Sequence, residues 1–407
     1  MNGPVAPPAT IGMLGGGQLG KYALLAANTF GFRTIVVDPS PDAPAGVIAH
    51  EHIVAAYDDP SALDRLATEC TVVTTEFENA PAAALAQLSE SISVWPDAQA
   101  VEIVQDRIAE KTFLASNQVP VGTFAPLPVA GGEDALYRAR AVAANGAIVK
   151  TARLGYDGKG QVRMAPGDDL AAAWDELGRV DCIVESLLEL RTEISVLVAR
   201  TLDGVCTTWP VAENIHRDGI LDVSIVPARI GDQLASGAAA LAIRVADALD
   251  YVGVMAVEMF VVADDRPEAQ GLPRLLVNEI APRPHNSGHW TLDACRTSQF
   301  EQQIRTVCDL GLGSTDLTVP AVAMVNLLGD LWFRTDNDDE PIEPDWAEAF
   351  DDPDASLHLY GKTAPRRGRK MGHLTVVADA PSTAVDRAMS LRRDIVTSPD
   401  DARTTGW

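Results

Sequence analysis

A run of glycines, Gly15-Gly16-Gly17-Gln18-Leu19-Gly20, lies between an apolar stretch, Thr10 to Leu14, and a segment of helical character, Lys21 to Phe30, and a second apolar stretch, Arg33 to Asp38, follows at once. Strand, tight turn, helix and strand in that order make a βαβ unit, which commits the chain to a parallel sheet with helices packed on it. The alternation continues through Val47 to Ala55, Ser61 to Ala67, Val72 to Thr75 and Ala80 to Leu88 and stops near Trp95-Pro96. A first domain is expected to end at about residue 103.

The glycine run has two readings as a ligand site. It matches Gly-x-Gly-x-x-Gly, whose glycines let a backbone approach a pyrophosphate, and Asp38 closes the next strand where a ribose-binding acid would stand. An NAD(P) site is one reading, although no hydride-transfer site accompanies it. A P-loop also begins well with Gly15, Gly20 and Lys21, but Tyr22 stands where a hydroxyl residue is needed on the metal.

The 407 residues suffice for two or three domains, and 47% hydrophobic content supplies real cores. With 32 basic and 57 acidic residues the net charge is −25, which opposes attraction to nucleic acid or to an anionic membrane. An anionic ligand must therefore be held by local basic groups. Cys70, Cys182, Cys206, Cys295 and Cys308 are odd in number and form no Cys-x-x-Cys pair, so reduced thiols are expected. Met1 to Thr10 lacks the basic start and apolar stretch of a signal peptide, which suggests a cytoplasmic protein.

Beyond residue 103, Asp106 starts a helix, Gly131-Gly132 breaks the chain, and a helix from Glu133 to Ala144 leads to the strand Ala147 to Thr151. Lys150 ends that strand just before the glycine-rich Gly155 to Gln161, close enough for both to meet the same phosphates. Standing alone, the loop would read as a surface hairpin. The strands Cys182 to Glu185, Arg191 to Ala199 and Cys206 to Val211 precede a helix from Ala235 to Leu249. Glu185 and Glu193 flank Ser186-Leu187-Leu188, a spacing that suits a hinge whose backbone meets adenine, while His216 could cover the nucleotide or support a turn. From Val319 onward come an apolar strand, Ala321 to Leu328, an acidic run, Asp336 to Asp354, that reads as a solvated loop, and a basic cluster, Arg366-Arg367-Gly368-Arg369-Lys370, suited to a phosphate.

The residues richest in chemistry are Glu258, inside the apolar run Val254 to Val261, and Glu279, inside Leu275 to Ala281. On neighbouring strands their carboxylates can clamp Mg²⁺ with Asn278 adding an oxygen, the arrangement expected where a phosphoryl group is transferred. Two solvent-facing strand ends are the plainer alternative. Arg283, His285 and Asn286 beside them offer donors to an anion, whereas His289 and Trp290 read as packing residues.

As a set, the glycine run at 15–20, Asp106-Arg107, Lys150-Thr151, Gly155-Tyr156-Asp157-Gly158-Lys159-Gly160-Gln161, the stretch Asn278 to Trp290 and Gly368 to His373 resemble the 5-(carboxyamino)imidazole ribonucleotide synthetase family of ATP-grasp enzymes over about residues 10 to 375. The resemblance implies an α/β and α+β chain with the ATP-grasp fold. It would comprise an N-terminal Rossmann-like (pre-ATP-grasp) domain over 1–103, an ATP-grasp domain over 104–318 with a lid subdomain at about 112–186, and a small C-terminal domain over 319–407 that completes the substrate pocket.

By the same resemblance Arg107 and Lys150 contact ATP phosphates beneath the loop Gly155, Tyr156, Asp157, Gly158, Lys159, Gly160 and Gln161. Glu185, Ser186, Leu187, Leu188, Glu193 and His216 border the nucleotide, and Glu258, Glu279 and Asn278 hold Mg²⁺, or Mn²⁺ in its place. Gly17, Gln18 and Leu19 then serve the ribonucleotide rather than NAD, with Lys362 and Arg369 on its phosphate. Arg283, His285 and Asn286 orient bicarbonate, with Tyr156 and Asp157 near the substrate amine. The implied reaction is ATP-driven carboxylation of 5-aminoimidazole ribonucleotide by bicarbonate through carboxyphosphate, in purine biosynthesis. A homodimer, and coupling to the mutase that uses the product, are implied as well.

Three departures stand out. Ala152 and Leu154 occupy positions where many relatives carry Arg and Gly, which suggests a stiffer loop, and the stretch Lys362 to Arg369 is one residue longer than the usual pattern. The turn Ala263 to Gly271 and the acidic run are also expanded. The competing enzyme reading is another ATP-grasp ligase, such as a formate-using glycinamide ribonucleotide transformylase. A nucleotide-binding regulator or an NAD-dependent dehydrogenase competes from a different class.

Overall fold

In the computed structural model, residues 3–155, 158–263, 273–333 and 340–396 are described. Tyr156, Asp157 and residues 264–271 of the expanded turn lie outside them, as does the start of the acidic run. Among the described residues no helix is long and apolar enough to cross a membrane.

The βαβ expectation holds. Strands β1 (Thr10–Leu14), β2 (Arg33–Val37), β3 (Glu51–Ile53), β4 (Val72–Thr75) and β5 (Ser93–Trp95) form a parallel sheet in the order β3-β2-β1-β4-β5. Helices α1 (Gln18–Thr29), α2 (Pro60–Glu69), α3 (Ala82–Ser89) and α4 (Ala98–Val104) accompany it. Apolar clusters lie on both faces, Ile11, Met13 and Val36 on one and Leu14, Ile35 and Val37 on the other, as a parallel sheet covered on both sides requires. Helix α1 starts at Gln18, earlier than Lys21, because its first amides find a partner outside the helix. The strand expected over Val47 to Ala55 shrinks to β3, since Asp42 to Ile48 folds into turns.

Helix α5 (Arg107–Ser116) leads into a four-stranded antiparallel sheet of β6 (Phe124–Leu127), β7 (Ala147–Thr151), β8 (Gln161–Met164) and β9 (Cys182–Ser186), in the order β6-β9-β7-β8, with α6 (Gly132–Ala143) and α7 (Leu170–Glu176) on it. The glycine-rich loop is the β7–β8 turn of this small sheet.

The third sheet has nine strands. Its path is β15 (Arg274–Ala281), β14 (Gly253–Val262), β10 (Leu190–Arg200), β12 (Ala212–Arg217), β13 (Ile220–Val226), β16 (Ala321–Leu328), β18 (Lys370–Ala378) and β17 (Ala355–Leu359), while β11 (Cys206–Thr208) pairs with β10. Helix α8 (Asp232–Ala248) fills the core on one face, α9 (Thr291–Ala294) and α10 (Gln299–Val307) follow β15, and α11 (Pro381–Asp394) packs on β16 and β18. The strand expected over Cys206 to Val211 stops at Thr208, because Pro210 has no N–H for a ladder, and a separate strand carries His216.

The parallel sheet and the C-terminal strands meet at a buried aromatic junction. Tyr22 of α1 contacts the rings of His289, Phe300, His358, Tyr360 and His373 at centroid distances of 5.2–6.3 Å. His289, Tyr360 and His373 are fully buried. Lys21 Nζ adds hydrogen bonds to the carbonyls of Leu359 (3.3 Å) and Tyr360 (3.2 Å). Asp293, His358 and His373 offer ligand atoms within 4.8 Å of one another, but the two imidazoles stack at 4.4 Å with planes 11° apart. Their in-plane lone pairs therefore run side by side and do not converge on one ion.

Candidate active site

Glu258 and Glu279 face each other across the β14–β15 ladder, and the register shifts immediately beyond them, where Met259 pairs with Val277. Asn278 is thereby the extra residue of a β-bulge, a device that turns a side chain out of its usual alternation and brings it beside its neighbour. Its Oδ1 is buried and has no hydrogen-bond partner. Two carboxylates and an unsatisfied amide oxygen form the hard-oxygen set that Mg²⁺ requires, so these residues fit the ion.

Each carboxylate is paired with a base. Arg107 Nη1 donates to Glu279 Oε2 at 2.7 Å, and Arg107 Nη2 donates to the carbonyl of Gly155 at 2.9 Å, which ties the carboxylate to the glycine-rich loop. Burial pushes the Glu279 carboxyl up, but Arg107 and Lys150 outweigh it and hold it below the usual carboxylate range. Glu258 Oε1 lies 3.0 Å from His285 Nε2.

A chain of side chains from the sheet interior orients His285. Ser224 Oγ donates to Asn214 Oδ1 (2.9 Å), and Asn214 Nδ2 donates to Ser195 Oγ (2.9 Å). Ser195 and Ser287 hydroxyls are 2.8 Å apart, and Ser287 Oγ is 2.8 Å from His285 Nδ1. With Asn214 donating at one end, the hydroxyls are consistently satisfied when each passes its proton toward Nδ1. That makes Nδ1 the acceptor and leaves the Nε2 proton aimed at Glu258.

Lys150 Nζ donates to Glu185 Oε2 at 3.0 Å, and Lys111 Nζ stands 3.7 Å from Glu185 Oε1. All three are nearly buried. Burial raises Glu185, yet the two ammonium groups more than offset it and leave the carboxyl below its ordinary value. His216 Nδ1 lies 3.0 Å from Glu193 Oε2. Burial lowers this imidazole, and Glu193 with Glu258 outweighs it, so the ring holds its proton above the ordinary range. The hinge amides of Ser186 and Leu187 donate to the carbonyls of Thr123 (2.9 Å) and Gly146 (3.0 Å).

Several expectations change. Asn286 is 6% exposed, and its Nδ2 and Oδ1 are engaged with Asn326 at 3.0 and 2.9 Å, so it braces the neighbouring strand and does not face an anion. Gly17 N donates to Glu76 Oε1 (2.9 Å) and Gly20 N to Glu76 Oε2 (3.1 Å), while Gly16 N donates to Asp38 Oδ2 (2.7 Å). The anion site at the start of α1 is thus filled by the protein's own carboxylates. Asp38 also binds Ser40 N and the Tyr57 hydroxyl, which removes the acid an NAD ribose would need. Leu19 is 5% exposed and belongs to the apolar core, whereas Gly17 and Gln18 are half-buried. Lys362 Nζ donates to the carbonyl of Lys370 (2.8 Å), and Arg369 Nη1 to that of Ala364 (2.7 Å), which holds the two expected phosphate ligands on one loop. In the glycine-rich loop Gly158 and Gly160 have φ of 75° and 71°, and Leu154 adopts 62°, a conformation that favours glycine.

Four site residues escape the sequence reading: Glu76, Glu78, Glu110 and Lys111. Glu76 and Glu78 directly follow β4 at the carboxyl edge of the parallel sheet, where such folds gather ligands, and that position was the available signal. Glu78 pairs with Arg283 Nη2, and Arg283 Nη1 also reaches the carbonyl of Pro284 at 3.1 Å.

Comparison with known proteins agrees with this geometry. Residues 8–105 match the ribonucleotide synthetase preATP-grasp domain, residues 112–300 the ATP-grasp domain, and residues 322–387 the phosphoribosylaminoimidazole carboxylase C-terminal domain. The N5-carboxyaminoimidazole ribonucleotide synthase of Brucella melitensis is 45% identical over 91% of this chain and 96% of its own length. The ADP complex of N5-carboxyaminoimidazole synthetase from Staphylococcus aureus superposes with a TM-score of 0.84 at 34% identity, covering 96% of this chain and 98% of that one. The Aspergillus clavatus N5-carboxyaminoimidazole synthase in complex with ADP and 5-aminoimidazole ribonucleotide gives 0.82 at 29% identity, covering 95% and 99%. The chain belongs to the N5-carboxyaminoimidazole ribonucleotide synthase family, ATP-grasp ligases of purine biosynthesis.

Proposed function

We propose that this chain uses ATP to activate bicarbonate and transfers its carbon to the exocyclic amine of 5-aminoimidazole ribonucleotide, giving the N-carboxy product, ADP and phosphate. The observation that carries the reading is the cross-strand pair Glu258 and Glu279 with the unsatisfied Asn278 Oδ1 beside it. Those three would hold Mg²⁺, which when bound neutralises charge on the β- and γ-phosphates.

Lys150 and Arg107 take phosphate oxygens, and the Gly155–Gln161 loop covers them, its glycines letting backbone amides follow an oxyanion. With Ser186 and Leu187 amides engaged in the fold, the hinge backbone at Leu188 meets the adenine. Glu193, beside His216, takes the ribose hydroxyls. Arg283 and His285 orient bicarbonate. An oxygen of bicarbonate attacks the γ-phosphorus and the bond to ADP breaks, which yields carboxyphosphate. Its carbon–oxygen bond then breaks to release phosphate and CO₂, the amine nitrogen bonds to that carbon, and the amine proton passes to phosphate. Little beyond positioning and charge stabilisation is asked of the protein. Tyr156 and Asp157 serve the substrate amine. Lys362 and Arg369 take the ribonucleotide phosphate, next to Gln18.

Omitting each substrate in turn while measuring ADP release tests the reading. Release should require both bicarbonate and the ribonucleotide; formate replacing bicarbonate would reject it in favour of a transformylase.

A further inference from the structure

Strand β15 ends the nine-stranded sheet, and its outward groups meet no full strand: a single parallel bridge joins Val277 to Val121, with the Val277 N–H donating to the carbonyl of Pro120 at 2.8 Å. Two consecutive charged residues of α5 meet those groups on either side of the bulge. Lys111 Nζ donates to the carbonyl of Val277 at 3.3 Å, one residue before Asn278, and Glu110 Oε1 accepts the N–H of Ile280 at 2.6 Å, one residue after Glu279. Both are nearly inaccessible, at 3% and 2% exposure, an expensive place for charged side chains unless their partners are fixed. Arg107, Glu110 and Lys111 stand at i, i+3 and i+4, on one face of the helix. Arg107 binds the Glu279 carboxylate itself. Lys111 also approaches Glu185, which Lys150 holds from the other side.

We infer that Glu110 and Lys111 are positioning residues of the metal site, clamping the bulged backbone at 277 and 280 so that Asn278 and Glu279 point together, and registering that strand to the nucleotide wall through Glu185. Neither side chain touches the substrates. The bridge to Pro120 holds the strand at Val277 alone, so the bulge beyond it can still flatten, which would turn Asn278 and Glu279 to opposite faces. A carboxylate on the N–H after the bulge and an ammonium on the C=O before it remove that freedom.

The inference rests on the metal role of Glu279, and the experiment separates the two. Mn²⁺ binding to the full chain in the presence of ADP is measured by electron paramagnetic resonance, without turnover, for Glu279→Gln, Glu110→Leu, Glu110→Gln, Lys111→Met and Lys111→Arg. Glu110→Leu and Lys111→Met should each weaken Mn²⁺ by about tenfold or more, the usual effect of removing a group that orients a metal ligand. Glu110→Gln, which keeps an acceptor for Ile280, should stay within about threefold, and Lys111→Arg should recover most of the loss. Should Glu110→Leu not fold, the Lys111 pair decides. Wild-type Mn²⁺ affinity in Lys111→Met, or no recovery in Lys111→Arg, overturns the clamp if Glu279→Gln has lost the ion. Unchanged affinity in Glu279→Gln overturns the metal assignment beneath it.

Discussion

Two glycine-rich loops of this molecule carry the pattern of a phosphate-binding turn, and they behave in opposite ways. Gly15 to Gly20 has the stronger ligand-binding signature, yet its amides are closed off by Asp38 and Glu76 from within the same sheet. Gly155 to Gln161 has the weaker signature, yet Gly158, Lys159 and Gln161 are exposed, and Gly155 is tethered by Arg107, the side chain that also holds Glu279. A glycine pattern reports that backbone must come close to something; whether that something is ligand or protein depends on residues far away in sequence. Here the difference is made by Glu76, which lies 59 positions from the amide it caps.

The contrast can be broken most forcefully at Lys150. Lys150→Met should lower kcat/KM for ATP by about a hundredfold or more, the scale for losing one preorganised charge on a developing anion. The fold should survive, because Lys111 still faces Glu185. A normal kcat/KM would sever the second loop from phosphate chemistry.

Glu76→Ala asks the converse question of the first loop. It strips Gly17 and Gly20 of their acceptor and should cost about 3 kcal/mol of stability in denaturant unfolding. An unchanged midpoint would reopen that loop as a ligand site.

Acid provides a milder probe, aimed at the seat of α1. Burial drives the His289 imidazole down to about 3 from its ordinary 6.5. The unfolded chain therefore binds the extra proton between those values, so the stability this group contributes is full above pH 6.5 and falls as pH drops toward 3. At pH 5 the loss is about 2 kcal/mol, and His289→Gln should flatten the corresponding slope. A slope unaltered by that substitution would place the acid sensitivity elsewhere.

The smallest effect concerns Leu154, whose φ of 62° is strained for any residue but glycine. Leu154→Gly should stabilise the chain by no more than about 1 kcal/mol and lower the KM for ATP by easing loop closure. A raised KM would show that the strain holds the loop ready.

Much of this architecture was legible in the sequence because it is local. The βαβ opening, β4 and β7 follow from apolar runs and punctuation, and Glu258 and Glu279 declare themselves as acids inside apolar strands. What stayed hidden is set by pairing between distant segments. The Asn278 bulge exists only in the register with β14. Asn286 looks like a ligand until Asn326, 40 residues on, takes both ends of its amide. Glu110 and Lys111 read as an ordinary polar helix face because nothing local says that an edge strand lies against them.

The nine-stranded sheet carries one last implication. The matched family regions part between residues 300 and 322, which invites cutting the chain there, but β13 hydrogen-bonds to β16 from Val223↔Val325 through Val226↔Val322. A truncation at that point would leave β13 with a bare, apolar flank and a strong appetite for any passing strand. The final segment is therefore a permanent fender against self-association, built into the sheet and not hung beside it.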